Sequence, residues 1–128
     1  MIVAGVGSKR GVSADDVLAA IDAALERVAL TRAALKVIAT PAVKGGEAGI
    51  AEAAATLGLP LVLVPQGQLE AMAERAQTHS ERVVALLRIP SAAETAALAA
   101  CGLDAHLLGP RLALGNVTCA LAKSGPAD

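Results

Sequence analysis

Three clusters of residues have the types and spacing to do chemistry. The first is Gly5-Val6-Gly7-Ser8-Lys9-Arg10-Gly11. Its glycines allow close backbone approach, and it offers a hydroxyl at Ser8 and cations at Lys9 and Arg10 just before a predicted helix N-terminus. Such a place suits an anion. The glycines fit neither the G-x-G-x-x-G dinucleotide pattern nor the G-x-x-x-x-G-K-[ST] phosphate loop, so nucleotide or phosphate binding here is an alternative reading only. Taken alone, a loop of this kind is more often a simple turn with solvated cations.

The second cluster is Thr40-Pro41-Ala42-Val43-Lys44-Gly45-Gly46-Glu47. Here Thr40 can donate a hydrogen bond, Lys44 can pair with a carboxylate, and Glu47 can exchange a proton. The competing account of Glu47 is that it favours the N-terminus of its own helix, worth about 0.3–1 kcal/mol. In the third, Ser91 and Glu94 stand at N-cap and N3 of a predicted helix, and a capping box accounts for both. Glu94 is nonetheless the second candidate acid/base. If Glu47 and Glu94 act together, they must face one cleft from two helix N-termini.

Other reactive arrangements are missing from the sequence. His79 and His106 stand apart, with no H-E-x-x-H and no Cys/His cluster, so neither a metal nor a cofactor is expected. No G-x-S-x-G surrounds a serine. Cys101 and Cys119 lack C-x-x-C spacing and lie in apolar surroundings, where free cysteine behaves as a small buried hydrophobe. Both fit a reducing compartment.

The elements that would position these loops alternate. Ile2-Val3-Ala4 reads as a buried strand that ends where the glycine loop begins. Ser13 and Asp16 open a helix whose Val17, Leu18, Ile21, Leu25 and Val28 share one face. Leu35–Ala39 is a second strand, residues 47–57 a helix stopped by Gly58, and Leu61–Val64 a third strand. The order βαβαβ in one core predicts parallel strands with right-handed crossovers, and so places the first two loops at the same carboxyl edge, where open α/β sheets bind ligands.

A short helix from residue 65 to 75, a polar stretch over 77–82 and a segment over 83–89 follow; the latter's type is open. The Ser91 helix runs to Cys101 and stops at Gly102. Ala105–Leu108 and Asn116–Ala122 are then two strands able to pair as a hairpin. The expected architecture is a single three-layer α/β/α domain over residues 1–123, with a mixed, mostly parallel sheet, a C-terminal antiparallel hairpin and a frayed polar tail at 124–128.

Composition bounds the partners. The chain has 128 residues, enough for one core, and its 55 % hydrophobic content is rich in alanine. A net charge of −1 lacks the basic excess of duplex binders, and with no Phe, Tyr or Trp there is no stacking platform for single strands. The longest uncharged stretch, Ala53 to Leu69, is broken by Gly58, Pro60, Pro65 and Gly67, so no membrane span is expected. With no basic leader before Ile2, a cytoplasmic protein is the expectation.

Read together, these blocks resemble the CobE family and the C-terminal domain of CbiG, both of cobalamin biosynthesis. The resemblance runs through residues 5–11, Ala39-Thr40 with Lys44 and Glu47, Leu57-Gly58-Leu59-Pro60-Leu61, Pro90-Ser91-Ala92-Ala93-Glu94 with Ala96-Ala97-Leu98, and Asn116-Val117-Thr118-Cys119-Ala120-Leu121-Ala122. It covers nearly the whole chain in order. Position 8 departs from it, since members often look like G-[IV]-G-C-[RK]-[RK]-G and Ser8 stands here. The larger CbiG carries further domains associated with opening the ring lactone, and that reaction does not transfer to this domain alone.

The resemblance implies a ligand: a tetrapyrrole or corrin intermediate with several acetate and propionate groups around a broad apolar ring. It would be held by Gly5, Gly7, Ser8, Lys9, Arg10, Gly11, Thr40, Lys44, Ser91 and Thr118, with Glu47 and Glu94 as acid/base candidates. The protein is then either an enzyme or a carrier that hands a labile precorrin to other pathway enzymes, and the carrier asks less of the sequence. A structural partner subunit is the third reading. Homodimerisation is compatible with each.

Overall fold

The structure, a computed structural model, describes residues 1–44 and 47–125. Gly45 and Gly46 of the second loop and the last three residues of the expected tail lie outside the described residues.

Strands β1 (Ile2–Ser8), β2 (Leu35–Pro41) and β3 (Leu61–Val64) alternate with helices α1 (Ala14–Arg27) and α2 (Ala48–Leu57). They lie in the order β3-β2-β1, parallel throughout, as the βαβαβ pattern predicts. Then come α3 (Gln66–Ala71), α4 (Glu81–Leu87), α5 (Ala92–Cys101), β4 (His106–Leu107), β5 (Leu112–Leu114) and β6 (Val117–Lys123). The sheet is mixed: β6 inserts antiparallel beside β1, and both β4 and β5 pair antiparallel with β6. The antiparallel part thus reaches beyond a terminal hairpin into the centre of the sheet.

Two apolar layers sandwich the sheet. On one face Ala4, Val6, Ile38, Cys119 and Leu121 pack against Val17, Ile21 and Leu25 of α1 and Ile50 of α2. On the other, Val3, Ala39, Val64 and Ala122 meet Leu69 of α3 and Ala96, Ala97 and Leu98 of α5. The alternation of strand residues between the faces follows from the pleat. Small residues let α5 lie close: a Cβ on Gly5 would stand 2.0 Å from the Ala93 carbonyl oxygen and 2.7 Å from the Ala97 nitrogen.

Local signals place the termini. Ser13 and Asp16 form the reciprocal capping box that starts α1, and Gly58 closes α2 in the left-handed conformation (φ 68°). Ser91 caps α5 and Gly102 ends it.

One local expectation is corrected and two elements are added. β1 runs on through Ser8, so Gly5 and Gly7 are strand residues and not loop; glycine's low strand propensity hid a strand that needs small residues under α5. The open segment at 83–89 is helical, as α4 with Ser80 as N-cap. β5 was not anticipated: three residues join β6 through the two-residue turn Gly115-Asn116, with Gly115 at φ 60°. Ser124, at the start of the expected frayed tail, is tied to Met1 through the Ser124 backbone amide and the amino terminus. Among the described residues no single helix is long and apolar enough to cross a membrane.

Candidate functional site

The loops after β1 and β2 open at the same carboxyl edge of the sheet and meet in a cleft. One cavity of about 520 Å³ is lined by Ser8 and Arg10 after β1, Val43 and Lys44 after β2, Arg82, Val83, Leu86 and Leu87 of α4, and Ala92 at the start of α5. A second, of about 170 Å³, shares Ser8, Arg82, Val83 and Ala92 with the first and adds Gly7, Lys9, Ser80, Arg111, Gly115, Asn116 and Thr118. The two adjoin at the four shared residues.

Charge sets the cleft's character. Lys9, Arg10, Lys44, Arg82 and Arg111 all line it, and none of its described lining residues is Asp or Glu. The ion pair of Arg32 with Asp22, at 2.8 Å, lies elsewhere. Beside the cleft cations Val43 and Leu86 expose apolar surface, at 66 % and 65 % of their areas. The N-terminus of α5 opens into the same space through Ala92, adding the positive end of the helix dipole.

Ser8 stands where the two cavities meet. Its Oγ is shielded from solvent and has no hydrogen-bond partner. Thr118, paired with Gly7 across the β1–β6 ladder, donates its hydroxyl to the Gly7 carbonyl at 3.3 Å.

Both acid/base candidates are placed away from this lining. Glu47 Oε2 accepts the Gly11 amide at 3.1 Å and so buckles the second loop to the first. Glu94 is fully buried. One of its oxygens accepts the amides of Gln77 at 3.1 Å and Thr78 at 2.7 Å. The other accepts the Thr78 hydroxyl at 3.1 Å and the Arg111 amide at 3.0 Å. The expected capping box at α5 is half formed: Ser91 Oγ accepts the Glu94 amide at 3.3 Å, while the Glu94 carboxylate turns to the loops instead of returning to Ser91. The two glutamates do not share one cleft.

The other candidates divide. Gly7, Ser8, Lys9, Arg10, Lys44 and Thr118 are brought together in the cleft. Gly5 is buried beneath α5, Thr40 is buried with its hydroxyl donating to the Val6 carbonyl at 2.8 Å, and Ser91 is a buried cap. Gly11, at φ 79°, lends its amide to Glu47. Arg82, Arg111 and the apolar side of α4 are new. Cations in a polar stretch and beside Gly109-Pro110 carry no spacing signal, because only tertiary closure brings them to the cleft: the Ser80 amide bonds the Pro90 carbonyl at 2.8 Å and returns α4 to the sheet edge.

Neither cysteine is available to the site. Burial pushes the Cys119 thiol up to about 12, and it raises that of Cys101. No group of three or more His, Cys, Asp and Glu side chains able to hold a metal occurs among the described residues.

Comparison with known proteins gives the family and supports the fold. The family model described as Cobalamin synthesis G C-terminus matches residues 2–122. The chain is 32 % identical to Protein CobE from Sinorhizobium sp over 126 residues, covering 98 % of this chain and 80 % of that one. The crystal structure of CobE, a protein from the cobalamin (vitamin B12) biosynthetic pathway, superposes with a TM-score of 0.95 at 27 % identity, covering 100 % of this chain and 93 % of that one. The cobalamin biosynthesis protein chiG from Agrobacterium tumefaciens str. C58 gives 0.78 at 40 % identity, over 97 % of this chain and 98 % of that one. The chain accordingly belongs to the CobE/CbiG C-terminal family and is a protein of the cobalamin biosynthesis pathway.

Proposed function

We propose that the cleft binds a carboxylate-rich precorrin intermediate and holds it for transfer between pathway enzymes. The observation that carries this reading is the convergence of five cations, with no lining carboxylate, in a cleft also lined by the exposed apolar side chains of Val43 and Leu86. A macrocycle with an apolar face and a ring of acetates and propionates is complementary to both. Single exposed ion pairs contribute only about 0–1 kcal/mol, so affinity requires several arms to be held at once.

The carrier form is preferred to an enzyme because the residues in contact with the cleft include no proton-transferring carboxylate, and both glutamates serve backbone amides of the loops. The ligand would stay unaltered while bound. The test is incubation of the purified protein with a late ring-contracted precursor, followed by mass and absorption spectra over time. A persistent complex of unchanged mass supports the carrier, and multiple turnovers to a product of different mass refute it.

A further inference from the structure

We infer that the smaller cavity is a subsite for one carboxylate arm of the ligand, and that the Ser8 hydroxyl is the donor that selects a carboxylate there over its amide. This deepens the corrin reading and rests on it for the identity of the macrocycle. Pockets for whole small molecules run at about 300–1,000 Å³. The larger cavity, at about 520 Å³, falls in that range and the smaller, at about 170 Å³, below it, so the smaller takes an arm and not a ring.

The chemistry of the subsite is one-sided. Ser8 Oγ is shielded and unpartnered, and leaving such a group unpaired costs about 1–3 kcal/mol. Thr118 has committed its proton to the Gly7 carbonyl. Lys9, Arg82 and Arg111 offer donors and charge. A carboxylate oxygen accepts from Ser8 and from these cations together. A carboxamide of the same shape has lost the charge, and its NH₂ group meets donors and cations, a mismatch that polar sites reject strongly.

Two probes test this on the full chain. The first is a metal-free corrin polycarboxylate, compared with the same macrocycle after amidation and followed by absorption. The second is sodium propionate, followed by amide chemical shifts in ¹⁵N-labelled protein. Ser8→Ala should weaken the polycarboxylate about tenfold and shrink its advantage over the amide, with Ser8→Cys, a weaker donor, in between. Propionate should shift the Ser8 and Thr118 amides of the parent and lose that effect in Ser8→Ala. Because Ser8 Oγ has no protein partner, the melting temperature should not fall. Polycarboxylate binding that is insensitive to Ser8, with no propionate shifts, would overturn the subsite while leaving the corrin reading intact. Propionate shifts at Ser8 without macrocycle binding would sustain the subsite and reject the corrin ligand.

Discussion

The buried carboxylate of Glu94 accepts the backbone amide of Arg111 at 3.0 Å, and so ties the loop bearing one cleft cation to the first turn of α5. The same side chain takes the amides of Gln77 and Thr78, just ahead of α4. One glutamate therefore anchors two walls of the cleft without lining it.

Replacing Glu94 should accordingly destabilise the protein. Glu94→Ala empties the space of a fully buried side chain and removes the shared acceptor of the part-buried Gln77, Thr78 and Arg111 amides; an unpaired buried donor costs about 1–3 kcal/mol and these can partly turn to water, so a total loss of about 1–3 kcal/mol is expected in urea denaturation. Glu94→Gln keeps one accepting oxygen and should lose less. Parent-like stability of the alanine variant would contradict the anchoring role.

The close seat of α5 on β1 makes a graded prediction for two glycines. A Cβ on Gly5 would overlap backbone atoms of Ala93 and Ala97, which cannot rotate away. On Gly7 it would lie 2.8 Å from the Thr118 hydroxyl and 3.3 Å from the Ala92 Cβ, which is milder. Gly5→Ala should therefore cost about 1–3 kcal/mol or more, and Gly7→Ala less, with ligand affinity the property it harms most. Thermal melts of both variants check the order.

Cys119 should be inert in the folded protein. With its thiol held near 12 by burial against an ordinary unfolded value of about 8.5, it stays protonated at neutral pH and shielded from thiol reagents. Titration with a chromogenic disulfide should show Cys119 reacting only on denaturation. Because the folded value is the raised one, this group favours folding fully below about pH 8.5, and that contribution is lost as pH rises toward 12.

Asp22 contributes on the acid side. The hydrogen bond from Arg32 lowers Asp22, reinforced by its charge and opposed by slight burial. A lowered carboxylate stabilises the fold above its unfolded value of about 3.9, and the contribution disappears as pH falls through the folded value. Both side chains are over 40 % exposed, at 45 % and 42 %, so the effect is at most about 1 kcal/mol. Asp22→Asn should lower stability at pH 7 by no more than that and leave it nearly unchanged below the folded value, so the acid limb of the profile flattens.

The helix ends were the most legible part of the sequence, because Ser13, Gly58, Ser91 and Gly102 act through local hydrogen bonds and backbone angles. The parallel unit was legible from the alternation of apolar runs. β5 was not, since three residues hold a strand only where β6 already supplies the partner. Within the site, Lys9, Arg10 and Lys44 were marked by flanking glycines after strands. Arg82 and Arg111 were unmarked, because a cation's neighbours across a cleft are set by chain closure and not by sequence spacing. Glu47 and Glu94 drew attention as carboxylates near helix starts, yet a backbone amide uses the same chemistry as a substrate proton.

The most direct measurement of the central claim is an absorption titration of a carboxylate-rich corrin precursor into the protein, which, lacking Phe, Tyr and Trp, adds almost no aromatic absorbance of its own. The parent should bind near stoichiometrically at low salt and more weakly as salt screens the pairing. The triple variant Arg10→Ala, Lys44→Ala, Arg82→Ala should lose at least about tenfold in affinity, while its melting temperature holds or rises as like charges are removed. Equal affinity of parent and triple variant, with no salt dependence, would contradict the assignment of this cleft.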